Sequence, residues 1–224
     1  MKNTHIKNKN ITTIVNFILD KSWSMELCRE GTIKGFNNYI SQLKEKEGKV
    51  LLSLTFFDTS VTKKYILTPI EDVKKLTYES YVPNGYTALW DAAVETTEEA
   101  YEKSRELREE KPVVLTVIMT DGEENSSKRH DRECMNGLVK DLEKEGNWTF
   151  VYLGANQDSW SNASQVGMSQ GNTANWQPSN LGMIKSMQAL SVGTNNLMAS
   201  ANRGEAMNTV SFFAGSKDGS DFIK

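Results

Sequence analysis

Residues Thr12–Ser24 read TTIVNFILDKSWS. The first nine are apolar or β-branched apart from Asn16 and close on Asp20. A short apolar run bounded by polar residues predicts a strand buried on both faces, with Asn16 as a hydrogen-bonded core amide. Asp20-Lys21-Ser22-Trp23-Ser24 then sets a carboxylate and two hydroxyls directly after that strand.

Working outward, Glu26–Glu47 carries Ile33, Phe36, Tyr39, Ile40 and Leu43 at three- and four-residue spacing, which predicts an amphipathic helix ended by Gly48. Val50–Phe57 reads as a second strand, and the turn Asp58-Thr59-Ser60 leads into Val61–Leu67 as an antiparallel hairpin. Pro69–Leu76 has the proline and early acids of a short helix. Tyr81–Thr87 is a loop by its Pro-Asn-Gly content. A helix over Ala88–Glu110, the strand Val113–Thr120, a polar loop Asp121–Arg129, a helix over Asp131–Glu145 and the strand Trp148–Leu153 follow.

Helices alternate with strands that are apolar along their whole length, the pattern of a parallel sheet covered on both faces. The expected fold is α/β and doubly wound, Rossmann-like, with a mostly parallel central sheet and one antiparallel edge strand. The expected organisation is a polar N-terminal tail (1–11), one domain (12–202) and a C-terminal tail or loosely docked strand (203–224). Within that domain, 155–202 is rich in Gly, Asn and Met and offers helices at Asp158–Met168 and Leu181–Ala201.

The 224 residues hold 26 Lys+Arg against 29 Asp+Glu, a formal net charge of −3, and no basic cluster. That balance argues against nucleic acid as a partner. No stretch has the roughly 18 apolar residues of a membrane span, and Ile14–Leu19 is too short for a signal-peptide core. Cys28 and Cys134 lie far apart with no CxxC, so they read as reduced thiols. The expectation is a soluble, cytoplasmic protein without membrane contact.

In an open parallel sheet, ligands gather at the carboxyl ends of the strands. Three polar clusters land there: Asp20 to Ser24, Thr87, and Asp121-Gly122-Glu123-Glu124. They supply hydroxyls and carboxylates, hard oxygen donors that suit Mg²⁺, with Mn²⁺ or Ca²⁺ as substitutes. His5 and His130 have no partner pattern, and Ser22 and Ser24 have no histidine base. There is no phosphate-binding glycine loop, no GxGxxG and no GxSxG elbow, so the reading is not an enzyme.

The set Asp20-x-Ser22-x-Ser24, Thr87 and Thr120-Asp121-Gly122 resembles the metal-ion-dependent adhesion site of von Willebrand factor A domains. Gly85-Tyr86-Thr87-Ala88-Leu89, Thr120–Asn125 (TDGEEN) and Tyr152–Asp158 further resemble small stand-alone bacterial and phage proteins of that family, and the likeness covers about residues 12–200. Many members have glycine where this chain has Trp23. The resemblance implies that Ser22, Ser24 and Thr87 coordinate the cation directly, while Asp20 and Asp121 hold coordinating waters. An open position would then take a carboxylate from a partner protein. Trp23, Glu123 and Glu124 are candidates for the partner-binding rim. Lys21 reads as an exposed lysine or a charge gate, and Asp58 as a turn residue. The competing readings are a metal-independent scaffold built on the same fold and a metal-dependent phosphoester hydrolase.

Overall fold

A computed structural model describes residues 11–107, 110–155, 159–205 and 210–213. Six strands, β1 (Thr13–Asp20), β2 (Val50–Phe57), β3 (Val61–Pro69), β4 (Val113–Thr120), β5 (Trp148–Gly154) and β6 (Thr173–Asn175), form one sheet in the order β3-β2-β1-β4-β5-β6. All neighbours run parallel except β2 and β3. This is the doubly wound sheet with one antiparallel edge that the sequence predicts.

Every residue of β1, β2, β4 and β5 is buried, because helices cover both faces. Alternation along β1 divides the core. Val15, Phe17 and Leu19 pack towards α1 (Arg29–Lys44) and α5 (Asn180–Asn202). Ile14 and Ile18 pack towards α2 (Leu89–Glu106) and α3 (Arg132–Glu143). Phe17 meets Phe36 and Tyr39 edge-on, at 5.6 and 5.9 Å between ring centroids. Asn16 is a core amide whose Nδ2 donates to the Thr96 carbonyl and the Thr116 hydroxyl, each at 3.4 Å, but its buried Oδ1 finds no partner among the described residues, so the expected pairing is only half met.

The predicted helix from Glu26 divides in two, a 3-10 turn over Trp23–Cys28 and then α1, which ends at Lys44 ahead of Gly48 at φ +113°. Residues 69–76 are not the expected helix beyond one 3-10 turn at Ile70–Asp72. Asn37 accepts from the Leu76 N–H at 2.7 Å and donates to its carbonyl at 2.9 Å, while Lys44 donates to the carbonyls of Glu71 and Val73. These side chains take over backbone pairing that a helix would supply, and the extended chain buries both Val73 and Leu76. Strand β6 was not foreseen.

Helix α5 lies along α1 where glycines permit it. A Cβ on Gly31 would sit 2.5 Å from the Asn180 carbonyl oxygen, and one on Gly35 would meet Met187 Cγ at 2.8 Å. The helix α4 (Ser159–Gln165) buries Ala163, and Val166 just beyond it is buried too, both as expected; Asp158 and the Trp160 side chain lie outside the described residues. In the expected tail, Phe212 is buried against Gly193 of α5, and its N–H donates to Asn172 Oδ1 at 2.9 Å. The rest of that tail after 213, and the N-terminal tail before 11, lie outside the described residues. Cys28 and Cys134 are both free. Among the described residues no helix is long and apolar enough to cross a membrane.

Candidate metal centre

Strands β1 and β4 are adjacent in the sheet, and their connections leave in opposite directions. The crevice between their carboxyl ends is where an open α/β sheet offers a site. Asp20 closes β1 with no exposed surface. Its Oδ1 accepts the Ser22 N–H at 2.7 Å, and its Oδ2 accepts the Thr120 hydroxyl at 2.5 Å. One carboxylate thus ties two strand ends together and turns the chain, as aspartates do in tight loops.

That turn carries Ser22 and Ser24 over the crevice, with their hydroxyl oxygens 3.1 Å apart. Ser24 donates to Asp121 Oδ1 at 2.6 Å. Thr87 arrives from the loop before α2. Its N–H donates to Asn125 Oδ1 at 2.9 Å, and its carbonyl accepts from the N–H groups of Asn125 and Ser126. A Cβ on Gly122 would lie 3.2 Å from the Thr87 hydroxyl and 3.8 Å from that of Ser24. Glycine there keeps open the space that the hydroxyls and Asp121 surround. The five residues picked out by the motif therefore come together, from segments that are distant in sequence.

The donor set fits a hard divalent cation. Burial pushes the Asp20 carboxyl up to about 7, with the nearby Asp121 charge adding to the effect, and burial raises Asp121 as well. A cation beside these two groups would relieve the cost of ionising them in a buried place. Among the described residues no three His, Cys, Asp or Glu side chains gather as a metal cluster; the oxygen donors that meet here are the hydroxyls of Ser22 and Ser24 and the carboxylates of Asp20 and Asp121, with the Thr87 hydroxyl beside Gly122.

Lys21 pairs with Asp58 at 2.9 Å, and both side chains are largely covered, so it is not the exposed lysine that the sequence allowed for. Trp23 is 67% exposed beside the site, and Glu123 is exposed as well. Glu124 has a structural task that the sequence did not reveal. Its Oε1 accepts the N–H groups of Ser126 and Ser127, both at 2.7 Å, and its Oε2 accepts the Ser127 hydroxyl and the Trp90 N–H. Helix α2 begins after Ala88, which has no capping side chain, so Glu124 and Ser127 cap it from another loop.

Three more supports escaped the sequence reading. Tyr81, fully buried, donates its hydroxyl to the Asp20 carbonyl at 2.6 Å. Arg29 grips the carbonyls of Tyr81 and Tyr78 and lies 5.1 Å over the Tyr78 ring. Asp91 accepts the consecutive N–H groups of Lys128, Arg129 and His130 at 2.8–2.9 Å. The available signal for Asp91 was its place in the first turn of a helix, where the backbone dipole favours an acid.

Replacing Gly122 with alanine should leave the fold intact and lower divalent-cation affinity about tenfold, since the new methyl group crowds the Thr87 hydroxyl. Calorimetric titration with Mn²⁺ measures this. Wild-type affinity in Gly122→Ala would mean that the ion does not use the space beside this residue.

A family model for the von Willebrand factor type A domain matches residues 15–199. No curated protein matches the chain. Solved structures similar to it include proximal thread matrix protein 1 from the mussel byssus with a zinc-occupied MIDAS motif. The two share 17% identity at a TM-score of 0.54, over 83% of this chain and 46% of that one. The manganese-loaded TRAP protein of Plasmodium vivax is 16% identical at a TM-score of 0.51, over 80% of this chain and 74% of that one. A von Willebrand factor type A protein from Catenulispora acidiphila is 11% identical at 0.54, over 82% and 43%. The chain spans less than half the length of the mussel and Catenulispora proteins. Identities this low establish a shared fold alone.

Proposed function

Because the chain belongs to the von Willebrand factor type A domain family, we propose that it is a non-catalytic protein-binding module dependent on a divalent cation. Ser22, Ser24 and Thr87 hold the cation through their hydroxyl oxygens, and Asp20 and Asp121 anchor it through waters. The ion is Mg²⁺, replaceable by Mn²⁺ or Ca²⁺, and supplies a Lewis-acidic position for one carboxylate of a partner protein. Neutral hydroxyls leave much of the ionic charge unquenched, which is why an anionic group from outside is attracted. The setting is the cytoplasm of a bacterium or a phage-infected cell, in keeping with two free cysteines. The partner is a protein, not nucleic acid or membrane.

The observation that carries this reading is the meeting of three hydroxyls and two carboxylates around a space that Gly122 keeps open. Two similar structures, one manganese-loaded and one with a zinc-occupied MIDAS motif, support a divalent ion on this fold.

Thermal melting with Mg²⁺, Mn²⁺ or Ca²⁺ tests it. At a metal concentration about 100 times the dissociation constant, binding adds about 2.7 kcal/mol, and the wild type should melt about 5–10 °C higher. The Ser22→Ala/Ser24→Ala variant should show little shift. An equal shift in both proteins, or an unmoved wild type in millimolar Mn²⁺, sinks the reading.

A further inference from the structure

Four exposed large hydrophobic side chains belong to the two segments that carry Ser22, Ser24 and Thr87. Trp23 stands between the two serines, 67% exposed, and Leu27, 76% exposed, follows on the same 3-10 turn. Tyr86, 69% exposed, directly precedes Thr87, and Val82, 48% exposed, belongs to the same loop. The backbone joins these segments: Trp23 N–H donates to the Gly85 carbonyl at 3.2 Å, and Asn84 N–H donates to the Lys21 carbonyl at 2.8 Å. Arg29 and the buried Tyr81 then fix the loop to the end of β1.

The loop after β4 differs. Among the described residues, no large hydrophobic side chain is exposed between Thr87 and Asn180, and the loop after β4 presents Glu123, Asn125, Lys128 and Arg129 to solvent. Among the segments that form the site, the exposed large hydrophobic groups are thus confined to the two that bear the hydroxyls, while the loop that bears Asp121 is polar. Exposed aromatic groups concentrated on the segments of a polar centre mark a contact surface.

Resting on the reading of the site given above, we propose that this surface selects an acidic segment of a partner protein in which the metal-bound aspartate or glutamate stands directly beside a bulky apolar or aromatic residue. Charge complementarity fixes the carboxylate on the ion, and the neighbouring apolar side chain is covered by Trp23 and Tyr86, with Leu27 and Val82 extending the contact. Polar or basic flanking residues leave these apolar side chains in water and are discriminated against.

Fluorescence anisotropy with three labelled nonapeptides tests the inference on the full chain. The first holds an aspartate between leucine and phenylalanine, the second the same aspartate between serines, and the third an asparagine between leucine and phenylalanine. In Mg²⁺ the first peptide should bind the wild type about tenfold or more tightly than the second, and EDTA should abolish its binding. The Trp23→Ser/Tyr86→Ser variant changes only exposed side chains, and in it the two aspartate peptides should become equal. Equal, metal-dependent binding of both aspartate peptides to the wild type overturns the apolar contact and leaves the carboxylate bridge standing. Binding of the asparagine peptide as tightly as the first, or no metal-dependent binding of either aspartate peptide, overturns both. Mg²⁺-dependent self-association of the full chain, lost in Trp23→Ser/Tyr86→Ser, also overturns the proposal, because a second copy would then be the occupant.

Discussion

Exchanging Asp20 for asparagine should weaken Mn²⁺ or Mg²⁺ binding about a hundredfold or more while the protein stays folded. The variant keeps the size and most of the pairing of the original side chain. An asparagine oxygen can still accept the Ser22 N–H, and the Thr120 hydroxyl can turn to accept from the new amide. What disappears is a fully buried carboxyl group at the end of β1 that can ionise beside a cation. The metal-free melting temperature should not fall, because burying a neutral amide costs less than burying a carboxylate. Titration calorimetry reads the first effect and a metal-free melt reads the second. Binding within a factor of three of the wild type would show that Asp20 holds two strand ends together and does nothing for the ion.

The largest loss of stability belongs to a residue outside the metal motif. Removing the Asp91 carboxylate by alanine substitution should cost about 3 kcal/mol, since three consecutive backbone N–H groups lose a charged acceptor in a partly buried loop. For a chain of this size that lowers the melting temperature by about 6–12 °C. Burial opposes ionisation of Asp91, but the N–H groups of Lys128, Arg129 and His130 prevail and hold its pKa below the ordinary carboxylate value. The stabilisation is thus complete above about pH 3.9 and fades as pH falls through the lower folded value. Urea melts of wild type and Asp91→Ala should accordingly converge in strong acid. The exposed Glu98→Ala is the control and should change stability by less than about 0.5 kcal/mol. A deficit below 1 kcal/mol for Asp91→Ala at neutral pH would show that the loop is held elsewhere. Since the same loop carries Asp121 and the partner of Thr87, ion binding should weaken along with it.

The sheet was legible because its central strands are continuous apolar runs; β2 and β4 have the bounds that their sequences imply, and β1 begins one residue later. Strand β6 was not, because Thr173-Ala174-Asn175 has no pattern of its own and forms by pairing with Tyr152–Gly154. The ligand candidates were legible because Asp20, Ser22 and Ser24 are local, and Thr87 and Asp121 sit at recognisable element ends. Their supports were not. Glu124 reaches Trp90 across 34 residues, Asp91 reaches His130 across 39, and Arg29 reaches Tyr81 across 52. No short window of sequence contains both members of any of these pairs. Residues 69–76 misled for the same reason, since Asn37 decides their course from α1.

Both borders of the sheet are poor templates for strand addition. On one side β3 shifts register twice against β2, around Leu52 and Leu54, and turns Lys63 and Lys64 outward. On the other, β6 is three residues long. An incoming chain would find bulged, lysine-bearing backbone at one margin and almost none at the other, so edge-to-edge polymerisation into extended β structure is disfavoured.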